Sequence, residues 1–161
     1  MYSVDELDTL TELTNFPVPL RGIPCPIVLA DDDTAVVSYS ILSHSTDTPT
    51  TAPLSVVQFH RPRFHLFIAS DDEAIRGHPL SDRGLRPYSA YRVDRSSLVR
   101  YLERTSSVRS YHDPKTFDLL THYIFTFGDS IFECVAESVD ATVEQVGLHE
   151  EYDRTLQILK G

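Results

Sequence analysis

The chain has no tryptophan, one methionine and two cysteines in 161 residues, and each scarcity closes off a class of explanation. Its eight Tyr and eight Phe are spread through strand-like runs, without the aromatic stacking pattern of an RNA-binding sheet. Two cysteines are too few for a disulfide scaffold, and two reduced thiols are expected. Cys134 reads as a small core hydrophobe, whereas Cys25 is held between Pro24 and Pro26. No run approaches the roughly 18 apolar residues of a membrane span. The opening MYSVDELDTL carries acids where a secretory leader carries basic residues, so the expected address is cytoplasmic. No Gly-Lys-Ser/Thr completes a Walker loop, no Gly-x-Ser-x-Gly elbow occurs, and no internal repeat is visible.

What is present is ordinary globular material, 41% hydrophobic and 24% charged, in a length that suits one domain and is too short for two. A single domain over residues 1–161 is therefore expected. The formal net charge of -10 speaks against broad contact with nucleic acid or an anionic bilayer, both of which call for clustered cations. That sum conceals a division. Residues 1–60 hold one basic residue and eight acids, residues 61–109 ten and six, and residues 110–161 three and ten. All ten cations of the middle segment are arginines, the side chain suited to planar recognition of carboxylate or phosphate. The same arginines would serve equally well as internal partners for the acidic flanks.

Along the chain, Ser3 and Glu6 form a capping-box pattern ahead of Val4, Leu7, Leu10 and Leu13, which predicts a short opening helix. Prolines 17, 19, 24 and 26 then lead into Ile27–Ala30, a turn at Asp31–Asp33, and a returning strand over Thr34–Leu42. Residues 43–53, SHSTDTPTTAP, have little to bury and predict an exposed loop. Strands follow at Ser55–His60, Phe64–Ala69 and Tyr88–Val93, with Pro62 confined to an edge, bulge or turn. The irregular stretch 70–87 has the length and the Gly/Pro punctuation of a functional loop. Ser96 or Ser97 caps a helix carrying Leu98, Tyr101, Leu102 and Thr105, and Asp113-Pro114 opens a second, short one.

The strongest local signal is HYIFTF-GD-SIFECVAESV, two alternating runs about a two-residue turn with glycine leading. In that register Phe127 opposes Ser130, Phe125 opposes Phe132, Tyr123 opposes Cys134, and His122 lies diagonal to Glu133. Leu148, Tyr152, Leu156 and Leu159 predict a closing amphipathic helix. The element order implies an α+β class, an antiparallel sheet with helices packed on one face.

Candidate chemistry is sparse. Arg76, His78, Arg83 and Arg86 share a Gly- and Pro-punctuated loop that could gather round an anion, or could be a shaped connection with solvated arginines. Arg61 and Arg63, with His60 and His65, form a second basic cluster that suits either a pocket mouth or a charged sheet edge. His122 with Glu133 is the best acid–base pair, to be weighed against a plain polar pair on a half-solvated face. His65 is a second candidate base. Ser130 lies on the wrong face to serve His122. His149 and Asp153 sit four apart on the closing helix, but two ligands do not make a metal site, and neither a metal nor another cofactor is expected.

The segments Gly77–Leu80 (GHPL), Arg83–Leu85 (RGL) and His122–Cys134 (HYIFTFGDSIFEC) together resemble a family of small bacterial proteins with no function attached. The resemblance covers residues 77–136, implies a compact soluble bacterial domain, and brings no catalytic residues with it.

The leading expectation is a non-catalytic or accessory binding module whose Arg-rich centre, through Arg61, Arg63, Arg76, His78, Arg83 and Arg86, contacts an anionic small molecule or an acidic partner surface. One alternative is a small enzyme acting by hydrolysis or proton transfer on an anionic substrate, with His122, Glu133 or His65 in the acid–base role. Another is an inhibitor or immunity-like protein whose acidic flanks steer it to a basic partner. The oligomeric state cannot be read from the sequence.

Overall fold

The computed structural model describes residues 3–41, 51–69, 74–147 and 150–160. Among the described residues nine strands and two helices lie in the order β1 (Thr9–Glu12), β2 (Ile27–Ala30), β3 (Thr34–Ser40), β4 (Thr51–His60), β5 (Phe64–Ala69), β6 (Ala90–Asp94), α1 (Ser97–Ser106), β7 (Thr121–Phe127), β8 (Ser130–Ala136), β9 (Ser138–Gly147) and α2 (Glu151–Lys160). Short 3-10 turns at Ala74–Gly77, Ser81–Arg83 and Pro114–Thr116 punctuate the connections.

The class is α+β with antiparallel strands, and the strands divide between two sheets. One has the order β1-β6-β7-β8-β5, the other β2-β3-β4-β9. The sheets face one another across Val37, Tyr39, Val57 and Phe59 on one side and Tyr123, Phe125, Phe127, Phe132 and Cys134 on the other. Phe59 anchors this layer, with ring centroids 5.7 Å from Tyr123, 5.7 Å from Phe125 and 5.4 Å from Phe132. Each such pair adds about 0.5–1.5 kcal/mol beyond simple burial.

Two chain segments cross from sheet to sheet side by side. β4 passes into β5 through Arg61-Pro62-Arg63, and β8 passes into β9 through Glu137. β5 pairs with β8 and β4 with β9, so one long ribbon bends over the corner. Arg63 N donates to Val135 O at 2.7 Å and Glu137 N to His60 O at 3.0 Å, holding the bend. Pro62, which has no N–H to contribute to a ladder, occupies the corner itself.

β7 and β8 are almost wholly buried on both faces, so the five-stranded sheet needs covers front and back. Its outer face meets Ile75, Leu80 and Leu85 of the 74–87 segment, packed on Tyr91, Val93, Ile124 and Ile131. α1 lies beside that segment. α2 covers the outer face of the other sheet, with Ile158 and Leu159 against Val36, Leu54 and Val56. Helices thus lie outside both sheets, because each sheet carries apolar side chains on its two faces. Among the described residues no helix is long and apolar enough to cross a membrane.

Several local expectations are corrected. The opening segment is not a helix. Asp5 and Asp8 turn their carboxylates on backbone N–H groups of Leu7 and Asp5, an alternative to helical bonding, and Thr9–Glu12 forms β1 on the sheet edge. The exposed loop expected over 43–53 ends earlier, since Thr51 already belongs to β4, and its remainder, 43–50, lies outside the described residues. β9 was not anticipated as a strand of its own. Part of the 70–87 stretch, 70–73, is outside the described residues, and the rest contains two 3-10 turns.

Candidate functional site

The β7–β8 hairpin has the register read from the sequence, with Phe127 opposite Ser130, Phe125 opposite Phe132 and Ile124 opposite Glu133. It brings His122 Nε2 to 3.0 Å from Glu133 Oε2. The surroundings differ from the expected half-solvated face. His122 is 0% and Glu133 3% exposed, because α1 and the 74–87 segment close over them.

Two residues from those covers complete the array. His78 Nε2 lies 2.9 Å from Glu133 Oε1, and Ser96 Oγ lies 2.9 Å from His122 Nδ1. The proton positions follow from the chain of partners. Leu80 N–H donates to His78 Nδ1 at 3.1 Å, which leaves His78 neutral with its proton on Nε2, directed at Glu133. At the other end Val99 N–H donates to Ser96 Oγ at 3.3 Å, so the serine hydroxyl is free to donate onward to His122 Nδ1, and His122 Nε2–H donates to Glu133. Every donor then meets an acceptor from Val99 through Ser96, His122, Glu133 and His78 to Leu80. Burial pushes the Glu133 carboxyl up, but the hydrogen bonds from His122 and His78 outweigh it and hold its pKa down to about 2. The carboxylate is therefore ionised at neutral pH.

Ser96 sits at the junction of β6 and α1. Arg95 before it has φ +53, and Ser96 caps the helix, with Asp8 Oδ1 accepting from Ser97 N at 2.6 Å beside it. A buried carboxylate at a helix N-terminus is favoured by the helix dipole. Two cavities flank the array. One, of about 470 Å3, is lined by Phe64, Leu66, Ile68, Pro79, Leu98 and Tyr101 together with His78 and Glu133. The other, of about 400 Å3, is bordered by Ser96, Arg92, Arg95 and Arg100, with Leu7, Val99, Phe117 and Leu120.

The remaining candidates do not gather round one point. Arg61 lies at the sheet corner with φ +51 and pairs with Glu137 at 3.6 Å. His65 is exposed on β5 opposite Cys134, on the inner side of its sheet and so on the other face from His122 and Glu133. His60 pairs with Asp140 at 2.9 Å. Arg76 and Arg86 are exposed, and Arg83 donates to the backbone carbonyls of Asp5 (3.0 Å), Glu6 (3.4 Å) and Asp8 (2.6 Å), fastening the N-terminal segment. His78 leaves its arginine neighbours and turns inward. Arg92 pairs with Asp94, and Arg100 with Asp5. Arg63 and Arg109 both border one cavity of about 550 Å3, which His112 and Asp113 also line. Ser130 is buried at the turn. His149, of the His149/Asp153 pair, lies outside the described residues.

Sequence reasoning missed Ser96 and the inward role of His78. Ser96 was legible only as a helix cap, and His78 only as a member of a basic loop; nothing local tells that their partners lie 26 and 55 positions away. Among the described residues no group of three or more His, Cys, Asp or Glu side chains is disposed to hold a metal ion. In the buried array the histidine nitrogens point to different carboxylate oxygens instead of converging on one point.

No family model, curated protein or solved structure matches the chain. This accords with a resemblance that carries no activity with it.

Proposed function

We propose that the protein is a small-molecule binding module whose ligand lies in the 470 Å3 cavity between β5, α1 and His78-Pro79, and that this ligand joins an apolar body to a cationic or N–H donor end. The observation that carries this reading is an ionised carboxylate, Glu133, bordering an otherwise largely apolar cavity. Ligand sites commonly combine apolar walls with a few fixed polar groups and a titrating group displaced from its ordinary pKa. A negative charge in such surroundings attracts a cation more strongly than it would in water and repels an anion.

Thermal-shift and native-mass measurements with small aromatic and aliphatic amines, set against the matching carboxylates, test it. The amines are expected to bind and raise the melting temperature, and Leu66→Trp, which fills the cavity, to abolish the shift. Equal response to the carboxylates, or undiminished binding by Leu66→Trp, would overturn the reading.

A second reading keeps the anionic ligand and moves it to the cavity shared by Arg63 and Arg109. It is favoured by one observation: these two arginines border one space beside His112, Thr105, Ser106 and Thr116, outnumbering its single carboxylate, Asp113, and neither forms an ion pair among the described residues. In that case phosphorylated or carboxylated metabolites bind, and Arg109→Ala weakens them without disturbing amine binding.

A further inference from the structure

We propose that Ser96 is the nucleophile of an acyl-transfer site for small carboxylic esters, with His122 as its base and with Glu133 and His78 as positioning residues. This rests on the geometry of the buried array and not on the ligand reading above. The serine occupies a strand–turn–helix junction, follows a residue held at φ +53, and borders the 400 Å3 cavity, whose lining residues are distinct from those of the Glu133 cavity. Its Oγ is 2.9 Å from a ring nitrogen whose partner nitrogen is 3.0 Å from an ionised carboxylate.

Serine, imidazole and carboxylate in hydrogen-bonded series are what nucleophilic catalysis by a hydroxyl requires. Here the serine meets Nδ1 and the carboxylate Nε2. The imidazole ring can accept a proton at one nitrogen while the other remains bonded to the acid, so this order performs the same task as its reverse. The Val99 N–H donates to Oγ and fixes its position, and Ser96 is the N-cap of α1, so the helix dipole favours the negative charge that develops on the carbonyl oxygen of an ester bonded to Oγ. Leu7, Val99, Phe117 and Leu120 offer an apolar wall for a short acyl chain.

The step balances as follows. Ser96 Oγ bonds to the ester carbonyl carbon as its proton passes to His122 Nδ1, and the carbonyl π pair moves onto the carbonyl oxygen. As that pair returns, the ester C–O bond breaks and His122 gives its proton to the departing alcohol oxygen, leaving acyl-Ser96. Water repeats the sequence, its proton going to His122 and its oxygen to the acyl carbon, and Ser96 Oγ leaves with the proton. Glu133 faces the imidazolium throughout.

Two measurements on the full chain decide it: labelling by a fluorophosphonate with intact-mass and peptide mapping, and the pre-steady-state burst with p-nitrophenyl acetate. The expected result is one adduct per chain on Ser96, a burst approaching one equivalent, and loss of both in Ser96→Ala. His122→Ala should slow acylation by about 100-fold or more. Glu133→Gln should displace the pH profile of acylation, a change that loss of a packing contact would not produce. Folded wild-type protein that takes no label at Ser96 and shows no burst overturns the proposal whatever the stability of the variants. Labelling retained in Leu66→Trp separates it from the amine-binding reading.

Discussion

At the scale of single residues, Glu133 decides most. Three elements converge on its carboxylate: β7 through His122, the 74–87 segment through His78, and its own strand β8. A buried charge is tolerable only when paired and hydrogen-bonded, and removing one partner leaves the other exposed to the full desolvation penalty. The carboxyl's folded pKa, about 2, lies below its ordinary 4.5, so its stabilisation is fully present above about pH 4.5 and is lost as the pH falls toward 2. The difference corresponds to on the order of 3 kcal/mol. Denaturant unfolding of wild type and Glu133→Gln across pH 7 to 2 should show the wild type losing that increment over this window while the variant, already less stable at neutral pH, lacks it. Parallel slopes would show that the ionised carboxylate does not carry the network. His122 and Glu133 were both legible as a pair in the sequence, since strand alternation and a two-residue turn place them diagonally. Their burial was not, because it depends on what covers the sheet.

At the scale of elements, the β7–β8 hairpin is the piece whose local code is most complete, yet the reason for its glycine differs from the one its turn suggests. A leading glycine usually supplies a positive φ to a two-residue turn. Gly128 is not among the positive-φ residues here; instead a Cβ at this position would lie 2.2 Å from the Tyr88 hydroxyl and 2.8 Å from its ring carbon. The glycine makes room for a side chain from the segment before β6. Gly128→Ala should therefore destabilise by about 1–3 kcal/mol, the ordinary range for overpacking, and the loss should be largely relieved in a background of Tyr88→Ala. A double-mutant cycle by chemical denaturation measures the coupling; additivity of the two substitutions would assign the glycine to the turn itself. The N-terminal segment errs in the other direction. Its apolar spacing and capping pattern suit a helix, but Asp8 is drawn to the start of α1 and Arg83 takes the carbonyls that a helix would have used. Long-range polar partners outweigh a short helix whose own nucleation is unfavourable.

At the scale of the whole molecule, the two sheets share one aromatic layer, and Phe59 is its most connected side chain, fully buried with three ring neighbours on the opposite sheet. Phe59→Ala should cost about 3–5 kcal/mol, from lost transfer free energy and from the cavity left between sheets that can only partly collapse. Calorimetry should show a lowered melting temperature; a shift of only a degree or two would mean that the layer closes over the gap. The arginine-rich middle of the chain, read as a whole, disperses along the fold. Arg61, Arg92 and Arg100 meet carboxylates and Arg83 meets carbonyls, and only Arg63 and Arg109 border a common cavity with no ion pair among the described residues.

The alternation of side chains along the chain marked by itself strands β2, β3 and β5 to β8 and the later part of β4, together with the register of the hairpin, the capped start of α1 and the aromatic face that would be core. These depend on neighbours a few positions apart, and period-two patterning, turn chemistry and capping act over that range. Only the tertiary structure decided that the strands form two sheets, that a ribbon bends from one to the other, and that Ser96 and His78 close on His122 and Glu133. Those outcomes turn on which buried polar group finds which partner across tens of residues. A hydrogen bond satisfied inside a folded core is set by geometry that no local pattern encodes.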